Sequence, residues 1–336
     1  MDGERTLQID RDGTYITGLD AVRFAAACAV VAIHSFMEYE YALDSYVIRM
    51  LTRWAVPFFF TISGYFMKEE LKSFARYWLG ILGQYVVWTV FYALMDHLDI
   101  WSVRNFLSGL RSGIIMPFWY FPSLLLCLAF VWALNRVIKD RRIVLIICSL
   151  LFAVAMMGHT FIRLPAFSFF QESIIMRLHH RIIGEVTTRD GIFWGSFWIA
   201  LGGFLKDRDE IWPAAMKKSI RICCGLLFAV LYLLEIWAIV RFDTGEKDIT
   251  LFTIPVVIML FDLGRRGQLQ KRVGETLRYT GNYMFLTHYF FLEFFMNKGL
   301  RSVPLFGATL LSAFILSFLI SALRMAVSRR KSLPAV

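Results

Sequence analysis

The 336-residue chain is 58% hydrophobic and only 18% charged, and it contains 32 phenylalanines. A single soluble core cannot bury so much apolar surface, so the composition excludes a soluble globular domain and predicts that most of this surface faces lipid. The net charge of +10 is spread over alternating short segments, which argues against a nucleic-acid-binding face.

Ten apolar runs follow one another along the chain, each near the roughly 20 residues that cross about 30 Å of hydrocarbon. They predict an all-α integral membrane protein with about ten transmembrane helices. The runs cover residues 17–37, 50–67, 75–95, 118–135, 143–159, 191–205, 219–240, 249–264, 279–296 and 304–325.

Basic residues predict the orientation of these helices, because lysine and arginine favour the cytoplasmic side. An internal N-terminus gives 23 Lys and Arg to cytoplasmic segments and 12 to external ones, and Arg23 lies within the first run. We therefore expect an N-in/C-in membrane protein. Its predicted parts are a cytoplasmic tail at 1–16, a membrane domain at 17–325 with a long external connection at about 160–190, and a cytoplasmic tail at 326–336.

The first run, GLDAVRFAAACAVVAIHS, contains two polar groups that are costly in a membrane, Arg23 and His34. Eleven residues make about three helical turns, so both side chains leave the same helix face about 16 Å apart. Neutral histidine is a suitable general base near neutral pH, and arginine is a permanently charged donor. The alternative is structural: Arg23 reaches the headgroups or pairs with Asp20, and His34 is an interfacial polar residue.

Later runs contain weaker candidates. Ser63 and the following glycine permit close backbone approach, and either packing or a ligand cavity explains them. Trp119 and Tyr120 lie where a helix enters from outside, so they fit an aromatic belt or a stacking surface for a sugar or acyl tail. His288 is an ionisable residue within the ninth run, where such groups face the bundle interior, either for function or for packing.

The quoted first run resembles the opening signature of the acyltransferase-3 family of bacterial membrane O-acyltransferases, in which arginine and histidine are separated by ten residues. RWAVPFFFTISGYFM, FWYFPSLLL and GNYMFLTHYFF resemble later helices of that family, in the same order. TTRDGIFWGSFWIALGGFL is most similar to the membrane domain of vancomycin-resistance serine racemases, a branch of the family. The chain departs from the pattern at Phe285, where tyrosine is common, and at Lys72 and Arg76, which replace a clean RxxR.

The resemblance implies a multi-pass enzyme of the bacterial cytoplasmic (inner) membrane that transfers an acyl group from acyl-coenzyme A to a hydroxyl of a glycan, lipid-linked sugar or other envelope molecule, and acetyl is the acyl group we expect. It implies that His34 is catalytic and Arg23 essential, and it aligns Arg53 with a family arginine facing the acceptor. Arg189 and Asp190 match the racemase-linked branch, although a surface ion pair also explains them. No metal and no nucleic-acid partner are expected.

Two other functions remain open at this stage. A small-solute transporter also contains intramembrane charges, but the two halves of the chain show no matching interrupted spans. A non-catalytic membrane sensor or amino-acid-handling module is favoured by the similarity to racemase-linked domains.

Overall fold

The computed structural model describes residues 16–36, 43–95, 116–183, 188–208, 211, 216–245 and 248–332, and every regular element within these ranges is helical. The helices longer than two turns are α1 (Thr17–Ser35), α2 (Leu43–Thr52), α3 (Ala55–Phe66), α4 (Leu71–Met95), α5 (Tyr120–Val137), α6 (Arg141–Met157), α7 (Ile174–Ile183), α8 (Ile192–Lys206), α9 (Lys218–Phe242), α10 (Thr253–Arg266), α11 (Lys271–Asn297) and α12 (Ser302–Ser332).

Nine of the ten apolar runs each correspond to one helix, and the second run is shared by α2 and α3. Five of the described helices are long and apolar enough to cross a membrane. Helices α3, α6, α8 and α10 have only 12 to 17 residues, and α11 has 27 residues with a polar first half. An all-helical membrane protein is therefore supported, while the number of ten crossings stays a prediction. The five helices that meet the length and hydropathy criteria are α1, α4, α5, α9 and the Ser302–Val327 part of α12.

The long connection predicted at 160–190 is largely helical where the structure describes it. It contains one turn of helix at Ser168–Gln171 and the ten-residue helix α7. On α7 the exposed apolar side chains of Ile174, Ile175 and Leu178 lie on one face, and Arg177 and Arg181 lie on another. This amphipathic pattern is typical of a helix that lies at a membrane surface.

The chain forms two compact units, one made of residues 1–58 and 255–336 and the other of residues 59–254. In the first unit, glycines bring the backbone of α1 close to its neighbours. A Cβ added to Gly18 would lie 2.4 Å from the carbonyl oxygens of both Gly264 and Gly267, and a Cβ on Gly281 would lie 3.3 Å from the Cα of Phe24. Close helix approach through small residues is a common way for membrane helices to pack.

Hydrogen bonds also connect the helices of the first unit, both at a helix end and along helix faces. The Thr17 hydroxyl donates to the Leu269 carbonyl over 3.0 Å and accepts from its amide over 2.6 Å, which anchors the start of α1 to the segment before α11. On α11, Thr280 lies 3.3 Å from Ser321 of α12. The helix that carries Arg23 and His34 is thus held by backbone proximity and by polar contacts.

In the second unit, α3 and α8 pack backbone to backbone. A Cβ on Gly64 would lie 2.1 Å from the Ile199 carbonyl oxygen, and a Cβ on Gly202 would lie 1.9 Å from the Thr61 carbonyl oxygen. The close approach that the sequence suggests after Ser63 is therefore present. No larger residue fits at either glycine unless the two helices separate.

Candidate functional site

The candidate residues fall into two groups, one in each compact unit. The first unit holds the residues of α1 and α11 and the turn before α3. The second unit holds the residues of α3, of the start of α5 and of the segment before α8.

Arg23 and Asp20 form an ion pair on α1, with 3.6 Å between the guanidinium nitrogen and the carboxylate oxygen. Asp20 is fully buried and Arg23 is 15% exposed. Gly274 on α11 leaves room for the carboxylate, since a Cβ there would lie 3.3 Å from its oxygen. The pairing considered from the sequence is present, and it offsets part of the cost of placing a cation in a membrane helix.

His34 near the end of α1 faces His288 of α11. Their ring centroids lie 5.3 Å apart, and the planes are inclined by 33°. His34 is half-buried, whereas His288 is fully buried. The sequence predicts two separate polar candidates, and the structure brings them together as a histidine pair.

A backbone contact fixes the protonation pattern of His288. Its Nδ1 lies 2.7 Å from the Phe285 carbonyl oxygen. A carbonyl oxygen only accepts, so Nδ1 carries the hydrogen and, in the neutral ring, Nε2 is a bare acceptor. Nε2 is buried and has no hydrogen-bond partner within the described part of the chain. The pair therefore presents an acceptor nitrogen inside the first unit.

Two further candidates occupy ordinary structural positions. Arg53 lies at the turn between α2 and α3, where its amide donates to the Met50 carbonyl over 3.2 Å. The Ser63 hydroxyl donates to the Phe59 carbonyl over 2.8 Å within α3. Ser63 is thus engaged with its own helix, as serine often is in membrane helices.

Arg189 stands at the centre of a charged network before α8. Its guanidinium makes two bonds to the Asp190 carboxylate, at 2.6 and 3.1 Å, and a third bond to Asp248 at 2.5 Å. Burial opposes the charge, but the two carboxylates outweigh it and raise the pKa of Arg189 above its ordinary value. The network therefore holds a permanently charged arginine between two acids.

Trp119 completes this network from its apolar side. The guanidinium carbon of Arg189 lies 4.2 Å from the centroid of the Trp119 ring, a cation–π arrangement. Tyr120 is buried beside it and meets Phe60 edge to face, with centroids 5.2 Å apart. The structure therefore brings together three residues that the sequence singles out separately, Trp119, Arg189 and Asp190.

Sequence reasoning missed two members of this network. Asp248 bonds Arg189, and the buried His159 lies 3.9 Å from the same Asp248 carboxylate. His159 ends a predicted span, and Asp248 lies in a short charged connection. Only their predicted location on one side of the membrane could have suggested the contact.

Two contacts in the second unit join segments that the distribution of lysine and arginine predicts to lie on the external side of the membrane. The Thr160 hydroxyl donates to the Ile249 carbonyl over 2.6 Å, and Arg163 pairs with Asp243 at 2.7 Å. The first contact links the connection at 160–190 with the start of the run at 249–264, and the second links it with the connection at 241–248. The side of the membrane on which these segments lie stays a prediction.

Comparisons with known proteins extend over most of the chain. A family model described as an acyltransferase domain matches residues 16–322. An amino-acid racemase of Enterococcus faecalis is 26% identical over 277 residues, which are 77% of this chain and 37% of that protein. A serine/alanine racemase of Enterococcus gallinarum is 25% identical over 265 residues, 73% of this chain and 36% of that protein. The chain thus spans less than two fifths of the length of these relatives, and no solved structure matches it.

Proposed function

The chain belongs to the acyltransferase-3 family, and on that premise we propose that it is a membrane O-acyltransferase. It transfers an acyl group, preferentially acetyl, from acyl-coenzyme A to a hydroxyl of a glycan, lipid-linked sugar or other cell-envelope molecule. Its place is the cytoplasmic membrane of a bacterium, with the donor supplied from the cytoplasm.

One observation carries this proposal: the histidine pair of His34 and His288, 5.3 Å apart in the first unit. The pair contains a half-buried imidazole and a buried neighbour whose donor nitrogen is already committed to a carbonyl. Proton removal from a hydroxyl requires such a base, and histidine titrates in the right range.

In the proposed reaction His34 is the general base. The acceptor hydroxyl loses its proton to a ring nitrogen of His34 while its oxygen forms a bond to the acyl carbon. The carbon–sulfur bond of the thioester breaks, and the departing thiolate takes the proton from His34. Atoms and charge balance, and the histidine returns to its starting form.

His288 acts through His34 as a positioning residue. Its Nδ1–H bond to the Phe285 carbonyl fixes the ring, so that Nε2 stays available as an acceptor. The His34 ring packs against this fixed ring, with 5.3 Å between the ring centroids, and His288 therefore restricts the orientation of His34.

Arg23 lies about 16 Å from His34 along α1, so the two side chains cannot contact the same atom of a substrate. We assign it to an anionic or carbonyl group of the extended donor, since guanidinium is always charged and offers several donors. The ion pair with Asp20 fixes its direction. For Arg53, Trp119, Tyr120, Arg189 and Asp190 we propose roles at the acceptor side, and for Ser63 a place beside a ligand cavity. The roles of Arg189 and Asp190 are positioning ones, because the two already satisfy each other.

A second candidate is amino-acid handling, and the relatives named as racemases favour it. In that case the membrane domain would bind or move a small amino acid and would catalyse no acyl transfer. The charged network around Arg189 would then serve a transport or sensing conformation.

Membranes containing the protein, incubated with radiolabelled acetyl-coenzyme A and bacterial envelope fractions, test the proposal. We expect label to appear in an alkali-labile ester on envelope material, and vector-only membranes are the control. Label transfer indistinguishable from that control, together with protein-dependent uptake of labelled serine, would instead establish the second candidate.

A further inference from the structure

A concave pocket of about 610 Å³ lies in the second unit, and none of the residues assigned above lines it. It is lined by the ends of α3, α5 and α8 and by the start of α6. The volume falls in the range of small-molecule binding sites. The distribution of lysine and arginine predicts that all four of these helix ends lie on the cytoplasmic side.

The pocket is strongly basic. Its three acids, Glu69, Asp140 and Asp207, are already engaged: the first and the last pair with Arg141, and Asp140 caps α6 by accepting from the Arg142 amide. Six cations and three acids leave a net charge of +3 on the lining. The cations are Arg136, Lys139, Arg141, Arg142, Lys206 and Arg208.

Lys206 lies close to two other cations of this region. Burial, together with the neighbouring cations Arg141 and Lys68, lowers the pKa of its ammonium, although Glu69 and Asp207 act in the opposite direction. Its Nζ donates to the Met67 carbonyl over 3.3 Å, which holds it at the pocket. An anion bound here would relieve this repulsion.

The start of α6 contributes two arginines to the pocket. The Asp140 carboxylate caps this helix, and Arg141 and Arg142 of its first turn line the pocket. Arg141 is held by a bond of 2.6 Å to the Gly203 carbonyl. Arginines held in this way are suited to phosphate groups.

We propose that this pocket binds the phosphate groups of an organic diphosphate, and that its occupant is the nucleotide end of the coenzyme A donor. The identity of the occupant rests on the proposed acyltransferase function, whereas the phosphate chemistry follows from the pocket itself. Lipid headgroups carry the same chemistry, so the experiment separates the two sources.

Inorganic pyrophosphate is the probe, titrated calorimetrically into the full-length protein purified in a neutral detergent. The double variant Arg136→Gln/Arg142→Gln removes two lining cations, and Lys271→Gln/Arg272→Gln removes two exposed cations at the start of α11 as a matched control. We expect saturable binding that weakens at least about tenfold in the pocket variant and less than twofold in the control.

Absence of saturable binding, or equal weakening in both double variants, would overturn the pocket assignment. Monodisperse elution and unchanged thermal unfolding show that each variant is folded. Should the double variant fail to fold, the single variant Lys139→Gln replaces it, with an expected loss of at least about threefold and the same grounds for rejection.

Competition identifies the occupant. Coenzyme A should displace pyrophosphate, and nanodiscs containing phosphatidylglycerol should leave its binding unchanged relative to phosphatidylcholine nanodiscs. Competition by phosphatidylglycerol without competition by coenzyme A would overturn the donor assignment. The two proposals fail separately: acyl transfer that survives without pyrophosphate binding refutes the pocket alone, and binding without acyl transfer refutes the enzyme alone.

Discussion

Adjacent glycines on α8 offer the sharpest test of the packing in the second unit. A Cβ at Gly202 would lie 1.9 Å from the Thr61 carbonyl oxygen and 2.7 Å from the Tyr65 amide nitrogen, both of them backbone atoms. Ordinary contact begins at 3.4 Å, so Gly202→Ala must push α3 and α8 about 1.5 Å apart. A Cβ at Gly203 meets no atom within 4 Å.

The two alanine variants should therefore change stability in opposite directions. Overpacking costs about 1–3 kcal/mol, so Gly202→Ala should destabilise the protein. In Gly203→Ala the better helix propensity of alanine should stabilise it by up to about 1 kcal/mol. At about 2–4 °C per kcal/mol, we expect the unfolding temperature of Gly202→Ala to lie about 2–16 °C below that of Gly203→Ala.

Thermal unfolding of the purified protein in detergent, followed by fluorescence-detected size-exclusion chromatography, measures this difference. Both variants change the same residue type on the same helix, so general effects of detergent cancel. Equal unfolding temperatures for Gly202→Ala and Gly203→Ala would refute the backbone-to-backbone packing of α3 and α8.

Four further predictions concern single substitutions at charged residues and at a helix contact. Arg23→Lys keeps the charge but loses the fork of donors, so acyl transfer should fall at least about tenfold without loss of membrane insertion; unchanged transfer would remove Arg23 from the donor site. Asp248→Asn should lower the free energy of unfolding by about 2 kcal/mol, because it removes a charged bond to Arg189. Arg163→Gln breaks an exposed ion pair and should lower the free energy of unfolding by less than about 1 kcal/mol. Equal losses of stability in Asp248→Asn and Arg163→Gln would contradict the charged network around Arg189. Gly18→Ala should lower the unfolding temperature in the same assay, and an unchanged unfolding temperature would contradict the close packing of α1 against Gly264 and Gly267.

The sequence predicts the helices well because each apolar run is long and continuous. The first run is predicted at 17–37, and α1 occupies Thr17–Ser35. The second run, predicted at 50–67, divides into α2 and α3 at the turn around Arg53. Hydropathy does not resolve this turn, because apolar residues continue on both sides of it.

The ninth run shows a different limit of hydropathy. It is predicted at 279–296, but α11 begins at Lys271 and carries a polar first half. A helix continues wherever its backbone hydrogen bonds are satisfied, whereas hydropathy reports only the part suited to lipid. The predicted start is therefore late by about two turns.

Candidate residues are recognisable singly, but their partners are not. His34 and His288 are more than 250 positions apart in the chain, and nothing in either run indicates that the rings meet. Arg189 shows an adjacent acid in Asp190, but the contacts with Trp119 and Asp248 depend on helix packing. Spacing within one helix predicts a shared face, and only tertiary structure shows what that face meets.

The contribution of His288 follows from its two ring nitrogens. Replacement by asparagine preserves a donor for the Phe285 carbonyl and removes the Nε2 acceptor. If His288 positions His34, then His288→Asn should lower kcat more than KM and shift the pH dependence of kcat. An unchanged pH profile with reduced protein stability would assign His288 to packing alone.

Acyl transfer by His34→Ala tests the central claim most directly. His180→Ala is the matched control, because His180 is an exposed histidine on α7. Membranes with equal amounts of each protein receive radiolabelled acetyl-coenzyme A and envelope fractions. We predict that His34→Ala reduces label transfer to the vector background while His180→Ala retains the wild-type rate. Full transfer by His34→Ala would contradict the assignment of His34 as the general base.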